Sequence, residues 1–303
     1  MKLRTRSFVI VVQLASAVLC LFSHVPSQTP EKYFDAAKSK LAEADKLVWG
    51  SDKWKAKLRA SLADANDAIK IDSKNASFFA KRAEIKELLD ELESAQDDAS
   101  TAISLAPEMP AYYALRGSLR YQIEAIKRAD EREKLNHPDE AAKIVADHKA
   151  ALEDYNKAVG LAPKDPRWYV ERGWFYELTK QTDAALADLT SAIGIDARNV
   201  KALQARSMLL SQNERNKEAI RDFTRLIEID PKMTTAYLAR AEVFERLKQY
   251  DMAIADTTAA LKTRPNSPSI LEVRAERYRM IRKVALARRD ELAAKRLRRS
   301  GKR

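Results

Sequence analysis

Residues 169–192 read YVERGWFYELTKQTDAALADLTSA, and the spacing of large and small side chains in this stretch decides the fold. Gly173 lies between two tyrosines, Tyr169 and Tyr176, and two alanines, Ala185 and Ala192, follow with a step of seven. Small residues let two helix axes approach closely, toward the low end of the usual range of about 8–10 Å. The stretch therefore predicts a helical hairpin.

The same pattern returns along most of the chain with a step of 34 residues. The helix-ending positions are Ser73, Pro107, Pro163, Ala197, Pro231 and Pro265. Only one of their intervals departs from the step, and it is longer by 22 residues. Small residues recur in the first helices at Ala83, Gly117, Gly173, Ser207, Ala241 and Ala275, and in the second helices at Ala95, Ala151, Ala185, Ala219 and Ala253. With six Gly and ten Pro in 303 residues, the composition also favours helices joined by short turns.

This period resembles the tetratricopeptide repeat, whose W-x₂-L-G-x₂-Y…A-x₃-F…P pattern also spans 34 residues. In the opening stretch Tyr169 replaces the Trp, Arg172 the Leu and Leu189 the Phe, and Ala197 stands where the final Pro is expected. The resemblance covers residues 60–278. It implies an all-α fold, a right-handed α-solenoid of about six tetratricopeptide-type helical hairpins with a C-terminal capping helix.

We divide the chain into a signal peptide at 1–27, a degenerate first hairpin at 28–75, the repeats at 76–267, and a capping helix with a basic tail at 268–303. The 22 extra residues fall in a long inserted hairpin at 118–150. Its first helix, Ala111 to Leu135, would be about 37 Å long at 1.5 Å per residue. The inserted hairpin is either locally packed or a projecting contact arm.

The N-terminal residues have the pattern of a secretory signal. Three basic residues precede an apolar run at 7–22, and cleavage is expected after Ser27, giving a periplasmic or secreted protein. The run is shorter than the roughly 20 residues of a spanning helix, and an uncleaved membrane anchor is the alternative. Lipidation at Cys20 is disfavoured because the bulky Leu19 precedes it. Cys20 is the sole cysteine, so no disulfide is expected in the mature chain.

Two charged columns accompany the repeat. The first helices carry Arg82, Arg116, Arg172, Arg206, Arg240 and Arg274, and the second helices carry Asp64, Asp98, Asp154, Asp188, Asp222 and Asp256. Since a guanidinium can engage a carboxylate with two hydrogen bonds, the columns favour a structural ladder over an anion-binding strip. Each Asp precedes the next Arg by 18 residues, and we expect this pairing between hairpins. Pairing within a hairpin, 16 residues apart, is the alternative.

The net charge of +11 is concentrated near the C-terminus. Residues 274–303 hold 13 Lys and Arg against three acidic residues, so the body of the protein is nearly neutral. The exposed part of this basic tail is expected at Arg288, Arg289, Lys295, Arg296, Arg298 and Arg299. Such a tail can be a solvated end or can bind an anionic membrane or another polyanion. No base-reading motif is present, and specific recognition of nucleic acid is not expected.

Catalysis is poorly supported by the sequence. Beyond residue 27 there are two histidines, His137 and His148, and no cysteine. Both histidines fit helix packing, and the chain has no phosphate-binding glycine loop, metal-ligand cluster or nucleophile motif. We therefore expect no catalytic residue, metal or cofactor.

In tetratricopeptide-repeat proteins, which this chain resembles, the first helices line a concave groove. Carried over to this sequence, the groove positions with the most telling chemistry are Glu84, Tyr121, Val170, Trp174, Glu177, Met208, Glu242 and Glu245. They combine an apolar and aromatic middle with acidic ends, which suits a partner that offers an apolar anchor flanked by Lys or Arg.

Two functions are consistent with the sequence. The first is an exported, non-enzymatic scaffold or adaptor that holds a peptide or protein segment in the groove. The second is a polyanion- or anionic-membrane-associated protein that acts through its basic C-terminal tail.

Overall fold

The computed structural model describes residues 30–135 and 148–300 of the chain. Every regular element within these residues is an α-helix, and the helices are joined by short turns. They form two compact units that are divided between Thr179 and Lys180. The predicted all-α fold of stacked helical hairpins is confirmed. The predicted signal segment and His137 lie outside the described residues.

Residues 30–135 and 148–179 of the first unit form seven helices. They are α1 Pro30–Ala44, α2 Asp52–Ile71, α3 Ala76–Leu88, α4 Leu92–Leu105, α5 Pro110–Leu135, α6 Lys149–Leu161 and α7 Pro166–Leu178. Helices α1 and α2, α3 and α4, and α5 and α6 pack against each other as antiparallel hairpins, and α3 and α5 each contact the preceding second helix.

Residues 180–300 of the second unit also form seven helices. They are α8 Thr182–Ile195, α9 Val200–Gln212, α10 Asn216–Ile229, α11 Thr234–Arg246, α12 Tyr250–Thr263, α13 Pro268–Met280 and α14 Val284–Ser300. Helix α8 contacts α9, and three hairpins follow, made of α9 with α10, α11 with α12, and α13 with α14.

The C-terminal part differs from expectation. Residues 268–300 form a hairpin with a turn at Arg282, whose φ is 59°, and the prediction of one capping helix followed by a tail is wrong. The reason lies in the repeat, because Ala287 and Ala294 continue the small-residue columns of the second helices. Both alanines are 1% exposed. The repeat pattern therefore extends one helix further than the sequence analysis followed it.

The small-residue columns lie in the helix interfaces. A methyl group added to Gly117 of α5 would lie 3.2 Å from the carbonyl oxygen of Ala151 and 3.2 Å from the ring of Tyr155, both on α6. At these distances even a methyl group would require the neighbouring atoms to move by a few tenths of an ångström. Across the other hairpins, Ala83, Ala95, Ala219, Ala241 and Ala253 are fully buried, so a small residue at these positions allows two helices to meet.

The turns inside four of the hairpins share one geometry. Asp90, Glu214, Lys248 and Arg282 follow the ends of first helices and have φ between 59° and 63°. At Lys248 the amide donates to the Glu245 carbonyl, and the next amide donates to that of Phe244, each at 2.8 Å. This is the Schellman arrangement, in which the left-handed residue is usually glycine.

The first helix of the inserted hairpin is as long as expected. Helix α5 has 26 residues, twice the 13 of α3, and extends about 39 Å. Ile123 on α5 is buried against α3 and α4, whereas Ile126 is 51% exposed. The return segment predicted before Lys149 lies outside the described residues.

Candidate partner-binding face

Arginine and aspartate columns pair within hairpins. The Nε and Nη2 atoms of Arg240 donate to the two carboxylate oxygens of Asp256, each at 2.8 Å. The same two-point contact joins Arg82 to Asp98, Arg116 to Asp154, Arg206 to Asp222 and Arg274 to Asp290, at 2.6–3.0 Å. The expected pairing of each Asp with the Arg of the following hairpin is therefore wrong, and the alternative within the hairpin is the one observed.

The same arginines do connect neighbouring hairpins, through a column that the sequence analysis did not identify. The Nη1 of Arg240 donates to the Thr224 hydroxyl at 2.7 Å, on the second helix of the preceding hairpin. Equivalent bonds reach Asn66, Ser100, Asn156, Thr190 and Thr258, each two residues after the column aspartate. Residues two apart lie about 200° around a helix. The aspartate therefore faces its own hairpin, while the residue after next faces the following one.

These Arg–Asp ion pairs are shielded from solvent. The side chains of Asp98, Asp154, Asp222, Asp256 and Asp290 are 3–8% exposed, and their arginines 12–19%. Hydrogen bonding to the carboxylate raises the pKa of Arg116 and Arg240 above the usual value. Each of these buried ion pairs, with its two hydrogen bonds, links the two helices of one hairpin.

The two ends of the aspartate column depart from the prediction. Asp64 of α2 forms its ion pair with Lys40 of α1 at 2.6 Å, because the degenerate first hairpin has no column arginine. Asp290 of α14, 34 residues after Asp256, was not assigned to the column, although its spacing was a sufficient signal.

In the first unit, much of the expected groove contacts the protein itself. Val170 is 3% exposed and belongs to the interior, so its assignment to the groove is wrong. The ring of Tyr121 packs on those of His148 and Phe175, at centroid distances of 5.0 and 6.0 Å. Glu84 forms an ion pair with Lys81. Trp174 and Glu177 of α7 are partly buried.

A buried carboxyl group lies between α3 and α5. Glu87 is 8% exposed and accepts a hydrogen bond from the Gln122 amide, which also donates to the Ser118 hydroxyl at 3.2 Å. Burial, reinforced by the nearby Glu84, raises the pKa of Glu87 to about 7. Burial is also the main reason that the pKa of Tyr155 is raised.

In the second unit, the first helices present an exposed face. Met208 of α9, Glu242 of α11 and Glu276 of α13 occupy the same repeat position, and we call them the first-helix face. Met208 is 55% exposed, and both glutamates are exposed. Within residues 30–135 and 148–300, no ion pair engages Glu242 or Glu276. Glu245, by contrast, pairs with Arg277 at 2.8 Å.

Arg277 is a buried arginine that the sequence analysis missed. It is 3% exposed and contacts the Glu245 carboxylate and the Thr257 hydroxyl. The same column holds buried apolar residues in the earlier first helices, namely Ile85, Leu119, Phe175, Leu209 and Val243. A charged residue in an otherwise apolar column was the available signal.

Comparison with known proteins agrees with this geometry. A family profile described as Tetratricopeptide repeat matches residues 205–269. Among solved structures, the type IV pilus biogenesis factor PilW has a TM-score of 0.57 at 17% identity, covering 82% of this chain and 99% of PilW. The chain has the tetratricopeptide-repeat fold.

Other solved structures share this fold. PilF from Pseudomonas aeruginosa aligns with a TM-score of 0.51 at 14% identity over 73% of this chain and 91% of PilF. A tetratricopeptide repeat protein from Parabacteroides merdae aligns at 0.50 and 17%, over 87% of this chain and 93% of its own. No curated protein matches the sequence. The tetratricopeptide-repeat fold is generally a non-enzymatic interaction module.

Across residues 30–135 and 148–300, no helix is both long and apolar enough to cross a membrane. In the same residues, no group of three or more His, Cys, Asp or Glu side chains is arranged to hold a metal ion.

Proposed function

We propose that this protein is a non-enzymatic scaffold that binds a peptide or protein segment on the first-helix face of its second unit. The partner offers an apolar side chain followed by Lys or Arg. The observation that carries the proposal is the exposure of Met208, Glu242 and Glu276 at equivalent positions of three successive first helices.

The chemistry of the face supports this partner. The Met208 thioether is unbranched and polarizable, so it adapts to apolar side chains of different shapes. Glu242 and Glu276 place two carboxylates on the next two hairpins, and a cationic segment would complement them. Glu245 contributes less because Arg277 already neutralises it at 2.8 Å.

In the first unit, we propose Trp174 as a further contact for the partner. This side chain is only partly buried, on a first helix and at the same repeat position as Met208. A tryptophan at such a position is a suitable anchor for a partner. The neighbouring candidates Glu84 and Tyr121 already contact side chains of the protein, so we expect smaller effects from their substitution.

A peptide-display selection on the full chain tests the proposal. We expect enriched peptides with a large apolar residue near two or more Lys or Arg. Met208→Ser and the double variant Glu242→Gln/Glu276→Gln should each weaken binding of an enriched peptide about tenfold.

Matched controls lie on the second helices. Met252 of α12 is 53% exposed and Glu228 of α10 is exposed, so Met252→Ser and Glu228→Gln change equally accessible side chains elsewhere. Neither control should change peptide affinity. The proposal fails if no peptide is enriched, or if the control variants weaken binding as much as the face variants.

We also propose export with cleavage after Ser27, supported by the basic start and the apolar run at 7–22. N-terminal sequencing of protein recovered from the periplasm or medium of an expressing bacterium tests it. A mature chain that begins at Gln28 is expected. Intact protein in the membrane fraction would instead favour the uncleaved anchor.

A further inference from the structure

The charged side chains on the outer face of helix α14 are all positive. Arg288, Lys295, Arg296 and Arg299 are all exposed and lie within about 120° of arc on the helix. Of the two acidic residues of α14, Asp290 is buried against Arg274, whereas Glu291 lies at the edge of this arc and pairs with Arg279. Because Arg279 already neutralises Glu291, that carboxylate does not cancel the four charges of the face.

Apolar side chains lie among these charges. Val284 is 65% exposed and Leu292 is 48% exposed, on the same side of α14 as the four basic residues. We call these six residues the terminal face. Leu292 occupies the position of Thr224 and Thr258, which on α10 and α12 bond the arginine of the following hairpin. An apolar residue has replaced a hairpin-linking hydroxyl at this position.

A solvent-facing cap alone does not explain this composition. The terminal repeat of a solenoid needs a polar outer face. A face of mixed charges would keep the protein as soluble as a face with charges of one sign. A surface with a single sign attracts partners of the opposite charge. The exposed Leu292 and Val284 add a preference for a partner with an apolar layer beneath its charges.

We propose that the terminal face of α14 binds anionic phospholipid surfaces. The 17-residue helix is about 25 Å long, so its four basic side chains can contact several headgroups while Leu292 and Val284 enter the boundary of the acyl chains. An open depression of about 740 Å³, lined by Lys295 and Arg299, lies at the C-terminal end of this face and has room for a headgroup. Arg298 also lines it but is already paired with Glu272 at 2.6 Å. Single-stranded nucleic acid is a poorer fit, since its binding sites stack bases on aromatic rings and α14 has none.

The basic segment of α14 also contributes to the core of the last hairpin, so substitutions test it better than a deletion. Deleting the chain from Arg288 onward would remove Asp290 and Ala294 from the core of the last hairpin. Substitutions on the exposed face avoid this loss. The triple variant Arg288→Gln/Lys295→Gln/Arg299→Gln keeps both buried residues. The control variant Lys201→Gln/Arg225→Gln/Lys262→Gln removes three exposed charges from α9, α10 and α12.

The measurement is co-sedimentation of the full chain with vesicles of phosphatidylcholine containing about 30% phosphatidylserine, at about 0.1 M salt. Each basic residue near an anionic membrane typically contributes about fivefold in affinity. The triple variant should therefore bind at least tenfold more weakly, and Leu292→Ser about threefold, whereas the control variant should bind like the wild type. Circular dichroism verifies that all variants are folded.

Three results would overturn the proposal. Equal binding to pure phosphatidylcholine vesicles would show that the interaction does not depend on anionic headgroups. Equal loss in the triple and control variants would show a dependence on overall charge. Binding of single-stranded nucleic acid that depends on the terminal face, without binding to vesicles, would assign the face to nucleic acid. Met208→Ser should leave vesicle binding unchanged, so peptide binding and lipid binding can fail independently.

Discussion

The buried Glu87 predicts that the packing of α3 against α5 weakens as the pH rises. Burial raises the pKa of this carboxyl from 4.5 to about 7 in the folded protein. Folding therefore favours the protonated form, and the stabilisation is fully present below pH 4.5 and is lost as the pH rises through 7. A shift of this size corresponds to about 3 kcal/mol as an upper estimate, since each pKa unit is worth about 1.4 kcal/mol.

Glu87→Gln removes this titration and keeps an acceptor for the Gln122 amide. Hydrogen exchange of the α3 amides, measured by mass spectrometry, reports local opening in an array whose repeats can open separately. At one pH the intrinsic exchange rate is nearly the same in both proteins. The ratio of the wild-type rate to the variant rate should rise between about pH 5 and pH 8, by up to about 100-fold.

Glu242→Gln is the matched control, because it removes an exposed carboxylate from α11 of the other unit. Hydrogen exchange of the α3 amides in Glu242→Gln should be as fast as in the wild type at every pH. A ratio for Glu87→Gln that does not change with pH would refute the reasoning, since it would mean that Glu87 is ionised in the folded protein without penalty.

Three further predictions concern the repeat itself. Arg240→Leu should lower the free energy of unfolding of the second unit by about 3–5 kcal/mol, because Asp256 stays buried without its partner. Arg277→Leu should leave that free energy unchanged or raise it. The leucine restores an apolar column, and the 37%-exposed Glu245 remains solvated. Urea unfolding of the two variants measures this contrast, and equal losses would contradict it. Gly117→Leu should destabilise the protein by at least about 2 kcal/mol because the new side chain would meet Ala151, whereas Gly160→Leu should not, because the space around Gly160 is open. Thermal unfolding compares the two variants. If their melting temperatures are similar, α5 and α6 can move apart to accept the leucine. Lys248→Gly should stabilise the protein by about 0.5–1 kcal/mol because its φ of 59° suits glycine, whereas Arg225→Gly in the interior of α10 should cost about 1 kcal/mol. Calorimetry that finds a loss at both positions would argue against the Schellman turn.

Most of the fold could be predicted because each hairpin repeats the same local rules. The columns of alanine and glycine required close helix contacts, and the fully buried Ala83 and Ala253 lie in such contacts. The same columns reached Ala287 and Ala294, so the last hairpin was also predictable. The high charge of residues 274–303 obscures this hairpin, because a run of basic residues is also typical of a solvated tail.

The candidate site was less predictable, since exposure depends on neighbouring helices. Val170 and Met208 are both apolar residues of first helices, yet the former is 3% exposed and the latter 55%. Glu242 and Glu245 lie three residues apart, and only Glu245 meets a buried arginine. Sequence spacing places such residues on a helix surface but does not say what covers that surface.

By itself, the sequence determined the helical hairpins, their 34-residue period and the residues of the arginine and aspartate columns, because these follow from local spacing. Only the tertiary structure decided which charges meet. Asp256 faces Arg240 of its own hairpin, and Thr258, about 200° around α12, bonds Arg274 of the next hairpin. A column of charges specifies the composition of an interface, whereas the rotation of each helix determines which of its faces contacts which neighbour.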